Sequence, residues 1–296
     1  MTTPDECPKW KVDLPAFPHK MIDTPLALVC DFYLEHLERD AKAGRLAPTA
    51  FWVICRGLML GARQGYASVC LLLAEKRPKP LLLQAGILNR SLFETLINIA
   101  ALVAEPARIR ILEREGFRTL ALRYEDHSGK HPSDSKWKDY LAVYRANLDG
   151  LAARVDVTAA EVANPSAIAL EWPTPGRLLF GQPSKKVAPW VDGNVADVLK
   201  KLYAQYYPHQ SELAHQRIAA VSAALVVENP DEQWNPGHAE SDLVSTAALL
   251  LACIVAELQS AGNYAKHPKL AELWGYLCEL DEEFKDVWGI RYSSLV

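Results

Sequence analysis

Residues 81–104 read LLLQAGILNRSLFETLINIAALVA, and this stretch decides the fold class. Its residues are mostly Leu, Ile and Ala, and they cover much of a helical circumference, which is typical of a buried helix. Arg90, Glu94 and Asn98 follow at intervals of four and therefore share one face. Because a charge pair on a buried helix must be paired and hydrogen-bonded, we predict a polar network centred on Arg90 and Glu94.

Helical signals repeat on both sides of this stretch. Thr24 and Thr49 are typical N-caps, and Pro25 is typical of a first helical position. No period-two strand run competes with the helical pattern. The sequence therefore predicts an all-α fold, a multi-helix bundle of eight or nine helices. The predicted helices cover about 25–41, 49–76, 81–104, 106–126, 136–153, 194–207, 209–227, 241–264 and 269–287.

Two segments interrupt the helical pattern. Residues 127–135 contain Gly and Pro and are predicted to be a loop. Residues 154–190 carry five prolines, which predicts an irregular insertion suited to a lid or a partner contact. We expect three parts: an N-terminal extension at 1–22, one helical domain at 23–289 that includes this insertion, and a C-terminal tail at 290–296.

Composition limits the functional class. The chain has 296 residues and a formal net charge of −4, so no global basic field attracts nucleic acid or membrane. Its six cysteines form no C-x-x-C pair, which predicts free thiols in a reducing compartment. The apolar stretches 81–104 and 243–256 fit buried helices better than membrane spans. We expect a cytoplasmic protein without a membrane partner.

A second polar motif lies in YPHQSELAH at 207–215. Tyr207, Ser211 and His215 recur at intervals of four, and Pro208 suits the first turn of a new helix. Histidine is a common general acid or base, and a neighbouring hydroxyl can orient it. The alternative is a core histidine whose ring nitrogens bond to Ser211 or to another helix.

The R-S-L-F-E run at 90–94 and the Y-x-x-x-S-x-x-x-H run at 207–215 together resemble an uncharacterised bacterial all-α family, a domain of unknown function. The resemblance covers roughly residues 50–265 and implies no known reaction. It implies an all-α fold that brings together Arg90, Glu94, Ser211 and His215.

A looser similarity connects the chain to the HEPN superfamily, whose ribonuclease members carry R-x(4–6)-H on one helix. This sequence departs from that motif. Three residues separate Arg123 from His127, and seven separate Arg123 from His131. A nuclease of this kind would have to assemble its arginine and histidine from separate helices.

A basic stripe follows Pro106. Arg110, Arg114 and Arg118 recur at intervals of four and offer a track for phosphate or RNA. Glutamates are interleaved with them, so internal ion pairs on a solvated face are the favoured interpretation.

Cofactor and metal motifs are absent from the sequence. It contains no G-x-G-x-x-G, no Walker A loop and no G-x-S-x-G elbow. His127 and His131 lie in the predicted loop rather than on a fixed helical zinc-binding face. We expect no cofactor and no metal.

These patterns predict a helical binding or interaction module, and they leave open whether the chain is an enzyme. The expected partners are a small polar ligand, a partner protein, or a second copy paired through the Ala/Leu face of helix 241–264. The alternative is an HEPN-like enzyme, possibly defence-related, that cleaves RNA or another phosphoester. The candidate catalytic residues are His215, Arg90 and Glu94, and the candidate binding residues are Asn98, Ser211, Tyr207, Arg110, Arg114 and Arg118.

Overall fold

The computed structural model describes residues 19–43, 49–73, 82–132, 134–214 and 236–296. Within these ranges the chain forms eleven α-helices of five or more residues and no β-strand, which confirms the all-α prediction. They are α1 (His19–Lys42), α2 (Thr49–Leu72), α3 (Leu82–Ala104), α4 (Ile109–Lys130), α5 (Ser135–Ala152), α6 (Ala159–Ala163), α7 (Pro175–Phe180), α8 (Gly193–Ala214), α9 (Pro236–Gly262), α10 (Pro268–Leu280) and α11 (Glu282–Val287). Trp288–Tyr292 follow as a π-helical turn, and Ser293–Leu295 are helical.

The helix count exceeds the predicted eight or nine for two physical reasons. The proline-rich segment contains two short helices, and the first of them, α6, starts at a capping box between Thr158 and Glu161. Asp281 then divides the last predicted helix, because its backbone is extended and its carboxylate accepts a hydrogen bond from the Glu283 N–H. The insertion at 154–190 is thus partly helical. It also contains an isolated antiparallel β-bridge between Gln182 and Val187.

Two prolines that were predicted to begin helices lie inside them. Pro25 is within α1, between the buried side chains of Ile22 and Leu26. A proline inside a helix costs about 3 kcal/mol, and burial of apolar side chains on either side offsets that cost. Pro208 is within α8, so the predicted break there is wrong, and the rest of the predicted helix 209–227 passes out of the described residues after Ala214.

The predicted loop at 127–135 is also shorter than expected. Helix α4 continues to Lys130, whose ammonium pairs with Asp126 one turn earlier at 2.8 Å. The His131 ring then stacks on Trp137 of α5 with 4.1 Å between the ring centroids. This ion pair and this stacking contact stabilise the last turn of α4, where a loop was predicted.

The chain divides into two compact units, residues 1–104 with 175–296, and residues 105–174. In the first unit α3 packs against α2, α7, α8 and α9. The residues of α9 from Ala247 to Ala256 are almost completely buried. The apolar face of α9 therefore packs inside this unit and is not exposed for pairing with a second copy. Self-association stays a prediction that no longer has this face as its support.

The second unit is built on α4 and α5. Its core consists of Phe117, Ala121, Leu148, Val155 and Ile168. The Tyr144 hydroxyl of α5 donates to the Leu120 carbonyl of α4 at 3.0 Å, which ties the two helices together.

Two helical stretches in the described part of the chain are long and apolar enough to cross a membrane by length and composition. They are Leu82–Ala104 and Ser241–Gly262, and 50% and 83% of their most apolar windows are buried in the protein. Cytoplasmic location and the absence of a membrane partner stay predictions.

The cysteines correct one expectation. Cys30, Cys55, Cys70 and Cys253 are free thiols, as predicted. Cys278 is disulfide-bonded, so the expectation that the chain contains no disulfide is wrong at this position.

Candidate functional site

Arg90, Glu94 and Tyr207 form a closed triangle of hydrogen bonds between α3 and α8. The Arg90 Nε donates to Glu94 Oε1 at 2.9 Å, and Arg90 Nη2 donates to the Tyr207 hydroxyl at 3.2 Å. The Tyr207 hydroxyl in turn donates to Glu94 Oε1 at 3.3 Å. The i, i+4 spacing on α3 supplies the first contact, and the packing of α8 on α3 supplies the other two.

Aromatic rings hold the Tyr207 side of this triangle. The Arg90 guanidinium carbon lies 5.1 Å from the centroid of the Tyr207 ring, within cation–π distance. Tyr203, one turn earlier on α8, stacks on Tyr207 with 4.4 Å between centroids, and the buried Phe93 ring lies 6.1 Å away. The polar atoms are therefore pre-positioned by packed rings.

The triangle is half-buried rather than sealed in the core. The side chain of Arg90 is 20% exposed and that of Glu94 is 34% exposed. Sequence reasoning expected a buried pair because α3 is so apolar. The difference arises because the buried face of α3 runs through Asn89, Leu92, Phe93 and Leu96, whereas the charged pair lies at its edge.

The protonation states of the triangle follow from its contacts. Partial burial is the largest single influence on Arg90 and opposes its charge, but the hydrogen bonds and charge interactions with Glu94 and Tyr207 together outweigh it and raise the pKa of the guanidinium above its usual range. Partial burial and the Glu94 carboxylate both raise the pKa of the Tyr207 phenol. Arg90 is therefore a cation and Tyr207 a neutral hydroxyl at physiological pH.

The remaining residues of the two predicted motifs are placed as follows. Asn98 is half-buried on α3, two turns after Arg90. Ser211 belongs to α8, one turn after Tyr207, but its side chain is outside the described part of the structure. His215 lies outside the described residues. The predicted meeting of Ser211 and His215 with Arg90 stays a prediction.

The three arginines of the basic stripe on α4 differ in exposure and in contacts. Arg114 donates to the Asp156 carbonyl and to the Glu161 carboxylate, so its donors are used within the second unit. Arg110 is exposed, and Arg118 is half-buried with an Nε that has no hydrogen-bond partner in the described structure. Contact of this stripe with RNA or phosphate stays a prediction.

Two buried polar groups had no recognisable sequence signal. Glu257 of α9 accepts two hydrogen bonds from Arg291, at 2.5 and 2.6 Å, across a separation of 34 residues. Asn89 is fully buried and donates from Nδ2 to the Leu243 carbonyl at 2.8 Å. Sequence spacing signals only contacts within a helix, whereas both of these contacts join separate segments of the chain.

No family model, no curated protein and no solved structure matches the chain. The resemblance to a domain of unknown function, and the looser similarity to HEPN proteins, therefore stay predictions that depend on two short motifs.

Proposed function

We propose that this protein is a helical binding module and that the Arg90–Glu94–Tyr207 triangle recognises a small polar ligand. The observation that supports this proposal is a fixed set of polar atoms that solvent still reaches. Binding to groups already held in place loses less conformational entropy than binding to free side chains. Neighbouring rings keep Tyr207, and through it Arg90, in one geometry.

The chemistry of the triangle favours a ligand with both a donor and an acceptor. Arg90 offers donors only, Glu94 offers acceptors only, and the Tyr207 hydroxyl offers both. Because a carboxylate lies 2.9 Å from the guanidinium, the local charge is nearly balanced, and the pair attracts a phosphate less than a lone arginine would. Amides and zwitterions such as amino acids fit this arrangement better than phosphoesters.

A thermal-shift screen of the free amino acids and their amides tests the proposal. We expect at least one compound to raise the melting temperature of the wild type and to raise it less in Tyr207→Phe and Arg90→Lys. Tyr207→Phe removes one hydroxyl, and Arg90→Lys keeps the charge but loses the two-pronged guanidinium. The proposal fails if no compound shifts the wild type, or if every shift persists in both variants.

RNA or phosphoester cleavage through His215 and Arg90 is the second proposal. It is supported by the placement of Tyr207, the first residue of the Y-x-x-x-S-x-x-x-H motif, directly against Arg90. Incubation of single-stranded RNA with the wild type and with His215→Ala tests it. Cleavage by the wild type alone supports this proposal, whereas no cleavage, or equal cleavage by both, refutes it.

A further inference from the structure

The loop that follows α7 is held in one conformation by its own backbone. Gln182 and Val187 exchange two hydrogen bonds, from the Gln182 N–H at 2.8 Å and from the Val187 N–H at 3.2 Å. The Trp190 N–H then donates to the Leu178 carbonyl at 2.9 Å, which returns the chain to α7. Residues 177–191, called the 177–191 loop below, are therefore one fixed feature of the surface of the first unit.

Two residues with left-handed backbone shape the turn of this loop. Gly181 has a φ of 66°, and a Cβ at this position would clash with the Val187 carbonyl oxygen, so only glycine fits. Lys186 has a φ of 55°, a conformation that glycine adopts more easily than lysine. Glycine at position 186 would suit the backbone at least as well, so backbone geometry does not explain the lysine.

Three cations of the loop have no ion-pair partner in the part of the chain that the structure describes. They are Arg177, Lys185 and Lys186, and all three are exposed. Residues 175–191 contain no Asp or Glu. The loop therefore carries local positive charge, although the chain as a whole has a formal net charge of −4.

Two exposed apolar side chains belong to the same loop. Phe180 is 46% exposed and Val187 is 49% exposed. The Phe180 ring packs edge-to-face on Tyr203 of α8, with 5.3 Å between the ring centroids, so the ring is held in place while nearly half of the residue stays in solvent. A partner that covers these two side chains removes apolar surface from water, which is favourable.

We propose that the 177–191 loop binds an acidic segment of a partner protein, one that carries both carboxylates and apolar side chains. Carboxylates match the three unpaired cations, and apolar side chains match Phe180 and Val187. A short segment meets mainly the local charge of the loop, because exposed charges more than about 8 Å apart are largely screened at physiological salt.

A longer polyanion fits this surface less well. A membrane or a nucleic acid extends past the loop to the rest of the surface, and the net charge of −4 opposes its approach. The three cations are also fewer than the four to eight that are typical of segments that bind anionic lipid. The charge of the loop and the charge of the whole chain therefore together favour a peptide partner.

Fluorescence anisotropy of the full-length protein with a labelled decapeptide of alternating Glu and Leu tests this proposal. The control peptide has Gln in place of Glu, which keeps the shape and the leucines but removes the charge. We expect saturable binding of the acidic peptide that weakens as salt is raised, and binding of the control that is at least about tenfold weaker. Absence of binding by the acidic peptide, or equal binding of the control, overturns the proposal.

A pair of substitutions tests whether the loop is the site of binding. Lys186→Gly removes a cation and suits the left-handed backbone, so the melting temperature should not fall. Combined with Lys185→Ala, it is expected to weaken binding of the acidic peptide by about tenfold. The control Lys138→Ala/Lys266→Ala removes two exposed lysines outside the loop and should leave the affinity within about twofold.

Wild-type affinity in a folded Lys185→Ala/Lys186→Gly protein, or an equal loss in the control variant, contradicts the assignment of the peptide to this loop. Phosphatidylserine vesicles and single-stranded RNA are titrated in the same way. Binding of either that is tighter than that of the acidic peptide, and that is lost in Lys185→Ala/Lys186→Gly, overturns the choice of a peptide as the partner.

Discussion

Two Arg–Glu pairs of the protein, Arg90–Glu94 and Arg291–Glu257, differ in the burial of the carboxylate and in the number of hydrogen bonds that it accepts from its arginine. In both, the arginine side chain is about one-fifth exposed, 20% for Arg90 and 21% for Arg291. Glu94 is 34% exposed, whereas Glu257 is 1% exposed. Arg90 makes one hydrogen bond to its carboxylate at 2.9 Å, and Arg291 makes two at 2.5 and 2.6 Å.

The exposure of the carboxylate therefore separates the two pairs. If Glu257 loses its arginine, a buried charge remains without compensation, which is strongly unfavourable. If Glu94 loses its arginine, water replaces part of the interaction, so the loss is smaller. We infer that the Arg291–Glu257 pair serves mainly stability, whereas the Arg90–Glu94 pair contributes less to stability, which is consistent with the proposed role in recognition.

The largest effect is expected from Arg291→Ala. It leaves Glu257 buried and unpaired, and it should lower the free energy of unfolding by about 3–5 kcal/mol. Urea denaturation measures this loss. The matched control is Lys269→Ala, which breaks an exposed pair with Glu272 and should change stability by less than about 1 kcal/mol. Equal losses in the two variants would contradict the structural role of Arg291.

A smaller loss is expected from Asn89→Ala. Asn89 lies next to Arg90 in sequence, but its side chain is fully buried and bonds to the Leu243 carbonyl of α9. Its removal leaves that carbonyl without this donor, and we expect a loss of about 1–3 kcal/mol in urea denaturation. A change below that of the exposed control Lys269→Ala would show that the contact between α3 and α9 does not stabilise the fold.

Arg90→Ala is expected to cost less than either core substitution. The triangle is half-exposed, so the loss should be about 1 kcal/mol in the free energy of unfolding. The same denaturation series measures it. A loss above about 3 kcal/mol would show that the Arg90–Glu94 pair has a structural role like that of Arg291–Glu257. Its exposure would then no longer be a reason to assign it to recognition.

The smallest expected effect is a loss of stability at alkaline pH. It arises from a buried thiol and not from the two ion pairs. Burial raises the pKa of the Cys30 thiol to about 12, from an ordinary value of 9.0. The folded state therefore keeps this proton while the unfolded state loses it, so this contribution to stability is complete well below pH 9 and is lost as the pH rises through 9 toward 12. At pH 9 the loss is already about 0.4 kcal/mol from this one group.

Urea midpoints of the wild type and Cys30→Ala at pH 7 and pH 9 check this value. The variant should lose less stability than the wild type between the two pH values, by about the contribution of one thiol. Arg90 and Arg291 have pKa values raised above the usual range of arginine and stay charged throughout. An unchanged pH dependence in Cys30→Ala would contradict the burial argument.

Sequence periodicity was sufficient for the fold class and for the contact between Arg90 and Glu94, because both depend on intervals within one helix. The same intervals of four selected Asn98, Ser211 and His215 as candidate site residues. Contacts between helices, however, depend on packing, and sequence spacing does not encode packing. The sequence shows that Tyr203 precedes Tyr207 by four residues, but it did not indicate that the Tyr203 ring would stack on Tyr207 beside Arg90. A cavity of about 260 Å³ lined by Tyr206, Asp242 and Asp281 combines residues from three parts of the chain and has no local signature in the sequence.

Double-mutant cycles on the two pairs test the central claim most directly. The cycles combine Arg90→Ala with Glu94→Ala, and Arg291→Ala with Glu257→Ala, each followed by urea denaturation. We predict a coupling free energy below about 1 kcal/mol for Arg90 with Glu94 and above about 2 kcal/mol for Arg291 with Glu257. Equal coupling in the two cycles, or stronger coupling between Arg90 and Glu94, would contradict the account.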